Sequence, residues 1–212
     1  MAKTLKELRE EAKHCQDCPL WANATQTVFG EGDEHARVML VGEQPGDAED
    51  RQGHPFVGPA GRLLDRALEA AGVPRDSVYI TNAVKHFKWQ LRGKRRMHKT
   101  PAQREIDACH QWLEGEIATL KPRVIVCLGA TAGRALFGPD FRVSVMRGKP
   151  VETPHAPFAF ATFHPSALLR LRDPAEKEAA FEQFVKDLSL IKQATASPRP
   201  APRSRRHVPP AG

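Results

Sequence analysis

Four short apolar runs punctuate the chain at wide intervals: 37–41 (RVMLV), 77–81 (SVYIT), 123–128 (RVIVCL) and 158–162 (FAFAT). The first and third are almost unbroken in apolar residues, as strands covered on both faces are. Between the runs the period becomes that of a helix. In 59–72 (PAGRLLDRALEAAG), Leu64, Ala67, Leu68 and Ala71 form one stripe and Gly72 marks its end. In 100–120, Ile106, Cys109, Trp112, Leu113 and Ile117 do the same, with Thr100 as the expected N-cap. A short helix is predicted over 3–14, and a last one over 174–191 that buries Phe181, Phe184, Val185 and Leu188. Strands alternating with helices imply parallel strands joined by right-handed crossovers. The expected fold is therefore a three-layer α/β/α domain around a central four-stranded, mainly parallel sheet.

A chain of 212 residues with 41% hydrophobic and 27% charged content suits one globular domain. That domain is expected over 1–193, followed by a disordered basic tail, 194–212. From 195 on the tail carries four arginines, five prolines and no acid. The net charge is +7, of which those arginines supply four, and it leans toward an acidic partner such as nucleic acid. No apolar run resembles a signal peptide or is long enough to span a bilayer. The expectation is a cytoplasmic protein without membrane contact, in which paired cysteines serve as ligands rather than disulfides.

Three strands lead straight into unusual polar sequence. The first ends at Gly42-Glu43-Gln44-Pro45-Gly46-Asp47, the second at Asn82, and the fourth at His164-Pro165-Ser166. In an open parallel sheet the ligand crevice lies outside the carboxyl ends of the strands. Glu43, Asn82 and His164 are thus expected to converge although they are far apart in sequence. GEQPG lacks the lysine and spacing of a phosphate-binding P-loop. The stretch 93–100 (GKRRMHKT) has no apolar periodicity and reads as a loop suited to a polyanion. Its cations disfavour a further positive charge on His98, leaving a neutral imidazole with a free lone pair for a base or nucleophile. Cys15-Gln16-Asp17-Cys18 offers a ligand pair, open to a Cys₃His zinc site or a redox CxxC reading. Cys127, inside an apolar strand, reads as a small buried hydrophobe.

GEQPG, PFVGPAGRLLD, TNAV and HPSALL, in this order and spacing, resemble the iron–sulfur uracil-DNA glycosylases of family 4 over roughly residues 10–190. KRRMHKT, NAVKHFK and GEQPGDAED are similar to the UdgX branch of that family, which bonds covalently to uracil-containing DNA. The resemblance implies a [4Fe–4S] cluster held by Cys15, Cys18, Cys109 and His86, the last standing where most of the family has cysteine.

It also implies a division of labour. His164 hydrogen-bonds the uracil carbonyl, Asn82 reads the base edge, Phe56 stacks on the extruded base, and the backbone at Gln44 and Gly46 approaches it. Glu43 faces the sugar, where positive charge grows. His98 attacks the anomeric carbon, leaving the protein attached, while Arg96 fixes the loop against a phosphate or the pocket. Asp47 and Asp50 are expected to organise the loop or cap the next helix. The activity so implied is excision of uracil from single-stranded or flipped-out DNA sites by a monomer working at the nucleoid, in one turnover. The alternatives are a turnover family 4 enzyme, and a non-catalytic iron–sulfur DNA-binding protein.

Overall fold

The computed structural model describes residues 3–198. Four strands, β1 (Val38–Gly42), β2 (Val78–Asn82), β5 (Val124–Leu128) and β6 (Phe158–Thr162), form one parallel sheet in the order β2-β1-β5-β6. A separate antiparallel pair, β3 (Trp89–Arg92) and β4 (Arg95–His98), makes an arm. The main helices are α1 (Leu5–Ala12), α2 (Asp47–Gln52), α3 (Pro59–Ala70), α4 (Gln103–Leu120) and α5 (Ala130–Phe137). The short α6 (Val143–Met146) and α7 (Pro165–Leu169) precede the long α8 (Pro174–Ala196).

Alternate residues of each strand serve opposite faces, as the two-residue period requires. Val38, Leu40, Ile80, Val126 and Leu128 pack with Leu64 and Leu68 of α3 and with Phe184 and Leu188 of α8. Met39, Val41, Ile125 and Cys127 face Leu113 and Ile117 of α4 and Ala132 of α5. The three-layer expectation therefore holds, and Cys127 is fully buried as anticipated. Gly72 ends α3 with φ +64, its N–H bonding back to Glu69.

Three details differ from the sequence reading. Helix α4 begins at Gln103 with Ala102 at the N-cap, because Glu105 reaches back to the Ala102 N–H at 2.6 Å. Thr100 faces a cleft instead. Half of the expected loop at 93–100 is strand: Gly93, at φ +61, turns the chain so that Trp89 pairs with His98 and Leu91 with Arg96. Finally, α8 continues to Ala196, beyond the expected domain end at 193; the tail from 199 on lies outside the described residues. No helix among the described residues is long and apolar enough to cross a membrane.

Candidate active site

In the order β2-β1-β5-β6 the chain first adds a strand on one side of β1 and then crosses to the other. The carboxyl ends of β1 and β5 therefore flank the switch point of the sheet. A cleft of about 420 Å³ opens there, lined by Glu43, Gln44, Phe56, Asn82, His98 and His164 among others.

Its floor is built from strand ends. Register places Asn82 beside Gly42, and Gly42 has no room for a side chain: a Cβ would lie 2.4 Å from Asn82 Oδ1 and 2.5 Å from the Phe56 ring. Phe56 has φ +57, a conformation bulky residues seldom take. It is held from two sides. Glu49 accepts the Gly58 N–H at 2.8 Å, and α3 presses in at Gly61, where a Cβ would sit 1.6 Å from the Phe56 carbonyl oxygen. Asn82 is buried, yet its Oδ1 has no hydrogen-bond partner. Such an unpaired group costs about 1–3 kcal/mol in a closed interior; Asn82 is among the residues that line the cleft.

His164 is the N-cap of α7. Its Nδ1 accepts the Ser166 backbone N–H at 3.2 Å, so the neutral ring carries its proton on Nε2. Burial pushes its pKa down to about 4, against the opposing pull of Glu43. At pH 7 it is a neutral donor. Glu43 sits between three elements: Thr131 of α5 donates to Oε2, His98 Nε2 lies 3.1 Å from Oε1, and His164 is nearby. Burial alone would raise the Glu43 carboxyl, but the hydrogen bonds from His98 and Thr131 outweigh it and hold the group below its ordinary value.

The arm supplies His98. Gln44 ties its root, donating to the carbonyls of Lys88 and Lys99 at 3.1 Å each and accepting the Lys88 N–H at 3.0 Å. Arg96 ties its middle, reaching Asp47 Oδ1 at 2.5 Å and Asp50 Oδ2 at 2.7 Å while lying 5.4 Å over the rings of both Phe87 and Trp89. Asp50 in turn accepts from Thr25.

Beneath the floor, Cys18 and Cys109 share an apolar cluster against which Cys15 packs. The Lys85 N–H points at Cys109 Sγ (3.2 Å) and the Trp112 indole N–H at Cys15 Sγ (3.2 Å). Thr27 joins the lobe to His86: its hydroxyl donates to the Ala12 carbonyl at 2.8 Å and lies 2.9 Å from His86 Nε2. With the hydroxyl proton so used, Nε2 is the donor, and the buried His86 Nδ1 is left with a lone pair and no partner. No group of three or more His, Cys, Asp or Glu among the described residues is placed to hold a single metal ion.

Residues 29–189 match the model of the uracil DNA glycosylase superfamily. The type-4 uracil-DNA glycosylase of Thermotoga maritima is 40% identical over 186 residues, covering 87% of this chain and 93% of the relative. The chain belongs to the uracil DNA glycosylase superfamily. The type-4 enzyme of Pyrobaculum aerophilum is 38% identical over 194 residues (88% and 92%), and a type-5 uracil-DNA glycosylase of the same organism is 31% identical over 148 (63% and 62%).

Within this glycosylase fold, Glu43, Gln44, Gly46, Phe56, Asn82, His98 and His164 all line one cleft. Asp47 and Arg96 do not line it; Arg96 lies between the carboxylates of Asp47 and Asp50, and a guanidinium so held has few N–H groups left to offer. The group in contact with His98 is also an acid rather than the neighbouring cations the sequence emphasised.

Sequence reasoning missed Thr131, Glu49 and the Lys85–Glu116 pair. Glu49 stands three residues after Gly46, the spacing of a capping box, and accepts its N–H at 3.1 Å. Thr131 follows the end of β5 after Gly129-Ala130, a strand end with no run of polar residues to mark it. Lys85 and Glu116 are fully buried, 2.6 Å apart, and Lys85 also donates to the Asn82 carbonyl at 2.7 Å, fixing the end of β2. No local signal marks such a pair.

Proposed function

We propose that the chain excises uracil from DNA and that His98 then bonds to the resulting sugar. The observation that carries this reading is the 3.1 Å contact of His98 Nε2 with Glu43 Oε1 at the edge of the cleft holding Asn82 and His164. An imide base edge offers an N–H to the unpartnered Asn82 Oδ1 and a carbonyl to the amide nitrogen. The Nε2–H of His164 donates to a carbonyl where negative charge grows, and Phe56 supplies a stacking ring. As the glycosidic bond breaks, its electron pair leaves with uracil, and the Glu43 carboxylate faces the cationic sugar. The proton between His98 Nε2 and Glu43 passes to the carboxylate and finally to uracil. The freed Nε2 lone pair forms the new C–N bond. Proximity favours the ring over bulk water. Lys94, Arg95 and Lys99 add salt-sensitive attraction to phosphates.

The cysteine lobe fits a [4Fe–4S] cluster, with Cys15, Cys18 and Cys109 as thiolates and His86 through Nδ1. The orphaned Nδ1 supports this set, and Thr27 bonded to the other ring nitrogen has the arrangement of ligating histidines elsewhere. The cluster would cross-link the segment after α1, helix α4 and the segment after β2, a structural task.

The test is a denaturing gel of the protein mixed with uracil-containing oligonucleotide. A stable shifted band is expected, absent in His98→Ser, which should still release uracil. Similarity to type-4 enzymes favours a second reading, in which water captures the sugar; free abasic product over many turnovers without a band would establish it. No uracil release at all would leave DNA binding alone.

A further inference from the structure

We propose that Thr131 is a positioning residue for Glu43, its hydroxyl fixing one carboxylate oxygen as an acceptor so that the other is presented to His98 and the sugar. The inference rests on the role given to Glu43 above. It assigns a task to a residue that touches neither base nor sugar in that scheme.

The geometry is specific. Thr131 is 1% exposed and stands two residues after Gly129, whose φ of +91 brings the start of α5 under the His164 backbone; a Cβ on Gly129 would lie 2.9 Å from His164 Cβ. The Gly129 N–H bonds the Thr162 carbonyl at 2.9 Å, so α5 is registered to the strand that delivers His164. From that anchored start the Thr131 hydroxyl donates to Glu43 Oε2, while His98 Nε2 lies against Oε1. The two oxygens thus have different partners from different elements. A carboxylate free to rotate about its last torsion has no such preference.

A second consequence is chemical. The groups facing Glu43 are Thr131 from α5, His98 from β4 and His164 from the loop after β6. A hydroxyl that donates to the carboxylate favours the anion, the form needed beside a cationic sugar. Of the three, Thr131 alone cannot itself change charge, so its support is present at every working pH.

The experiment is single-turnover uracil release followed across acidic to neutral pH for wild type, Thr131→Val and Thr131→Ser, with Glu43→Gln to identify the limb that Glu43 governs. Valine keeps the shape and removes the hydroxyl. It is expected to slow release about ten-fold, the scale of one lost hydrogen bond to a charge, and to move the acid limb to higher pH. Serine should restore both. A valine variant slowed equally at every pH, with the limb unmoved, would overturn the proposal, as would one equal to wild type. If valine does not fold, Thr131→Ala is read in its place with the same criteria. Failure of wild type to release uracil would instead strike the functional reading, so the two failures are distinct.

Discussion

The floor of the cleft and the arm beside it are built on different physical terms. Glu43, Asn82 and His164 continue sheet strands whose residues are almost all buried, and their positions follow from backbone register across β2, β1, β5 and β6. His98 belongs to a two-stranded arm with few buried residues; its side chain is 46% exposed against 20% for Glu43. An isolated hairpin is marginal in water. Its placement therefore depends on side-chain tethers, chiefly Gln44 at the root and Arg96 at the middle. Under the function proposed above, bond breaking falls to the preformed half and capture of the sugar to the tethered half. The two should separate under mutation.

The hardest blow to the floor is Asn82→Ala. Deleting the base-reading amide should lower kcat/KM for uracil release by about 100-fold or more, the usual scale for one pre-oriented polar group. Adduct formation should fall in parallel, because capture follows release. An adduct that persists at the normal rate while free uracil vanishes would mean that the arm can act without the floor.

Arg96→Lys tests the other half. Lysine keeps the charge near Asp47 and Asp50 but cannot span both as a planar fork. The fraction of cleaved sites trapped as adduct should fall about ten-fold, with free abasic product appearing in its place, while uracil release changes little. Equal losses in both would show that the arm also serves bond cleavage.

The same contrast explains what could be read in the sequence. Five-residue apolar runs can bury both faces only as interior strands, so the sheet, and with it Glu43, Asn82 and His164 at its edge, was visible from local pattern. The arm was not, because its order comes from contacts such as Arg96 with Asp50, 46 residues apart, rather than from an apolar period. For the same reason the sequence left Arg96 to fix the loop against either a phosphate or the pocket: a cation in a basic run reveals its charge but not its partner. Lys85 and Glu116 escaped notice since each, taken alone, belongs on a surface.

A finer test asks whether the floor is already assembled in the free protein. If it is, a neutral His164 must be embedded before any DNA arrives, and folding stability must register it. Its folded pKa of about 4 lies below the ordinary 6.5, so the unfolded chain binds more protons between those values. Stability is then complete above pH 6.5 and declines as pH falls toward 4, by roughly 3 kcal/mol if this group acts alone. Glu43, held below its usual 4.5, loses its own contribution only at lower pH. Denaturant unfolding of wild type and His164→Asn at a series of pH values provides the check. The difference between the two curves should be flat above pH 6.5 and slope below it. A difference independent of pH would mean that the ring is solvated in the free protein, and that the floor, like the arm, takes its final form only around the substrate.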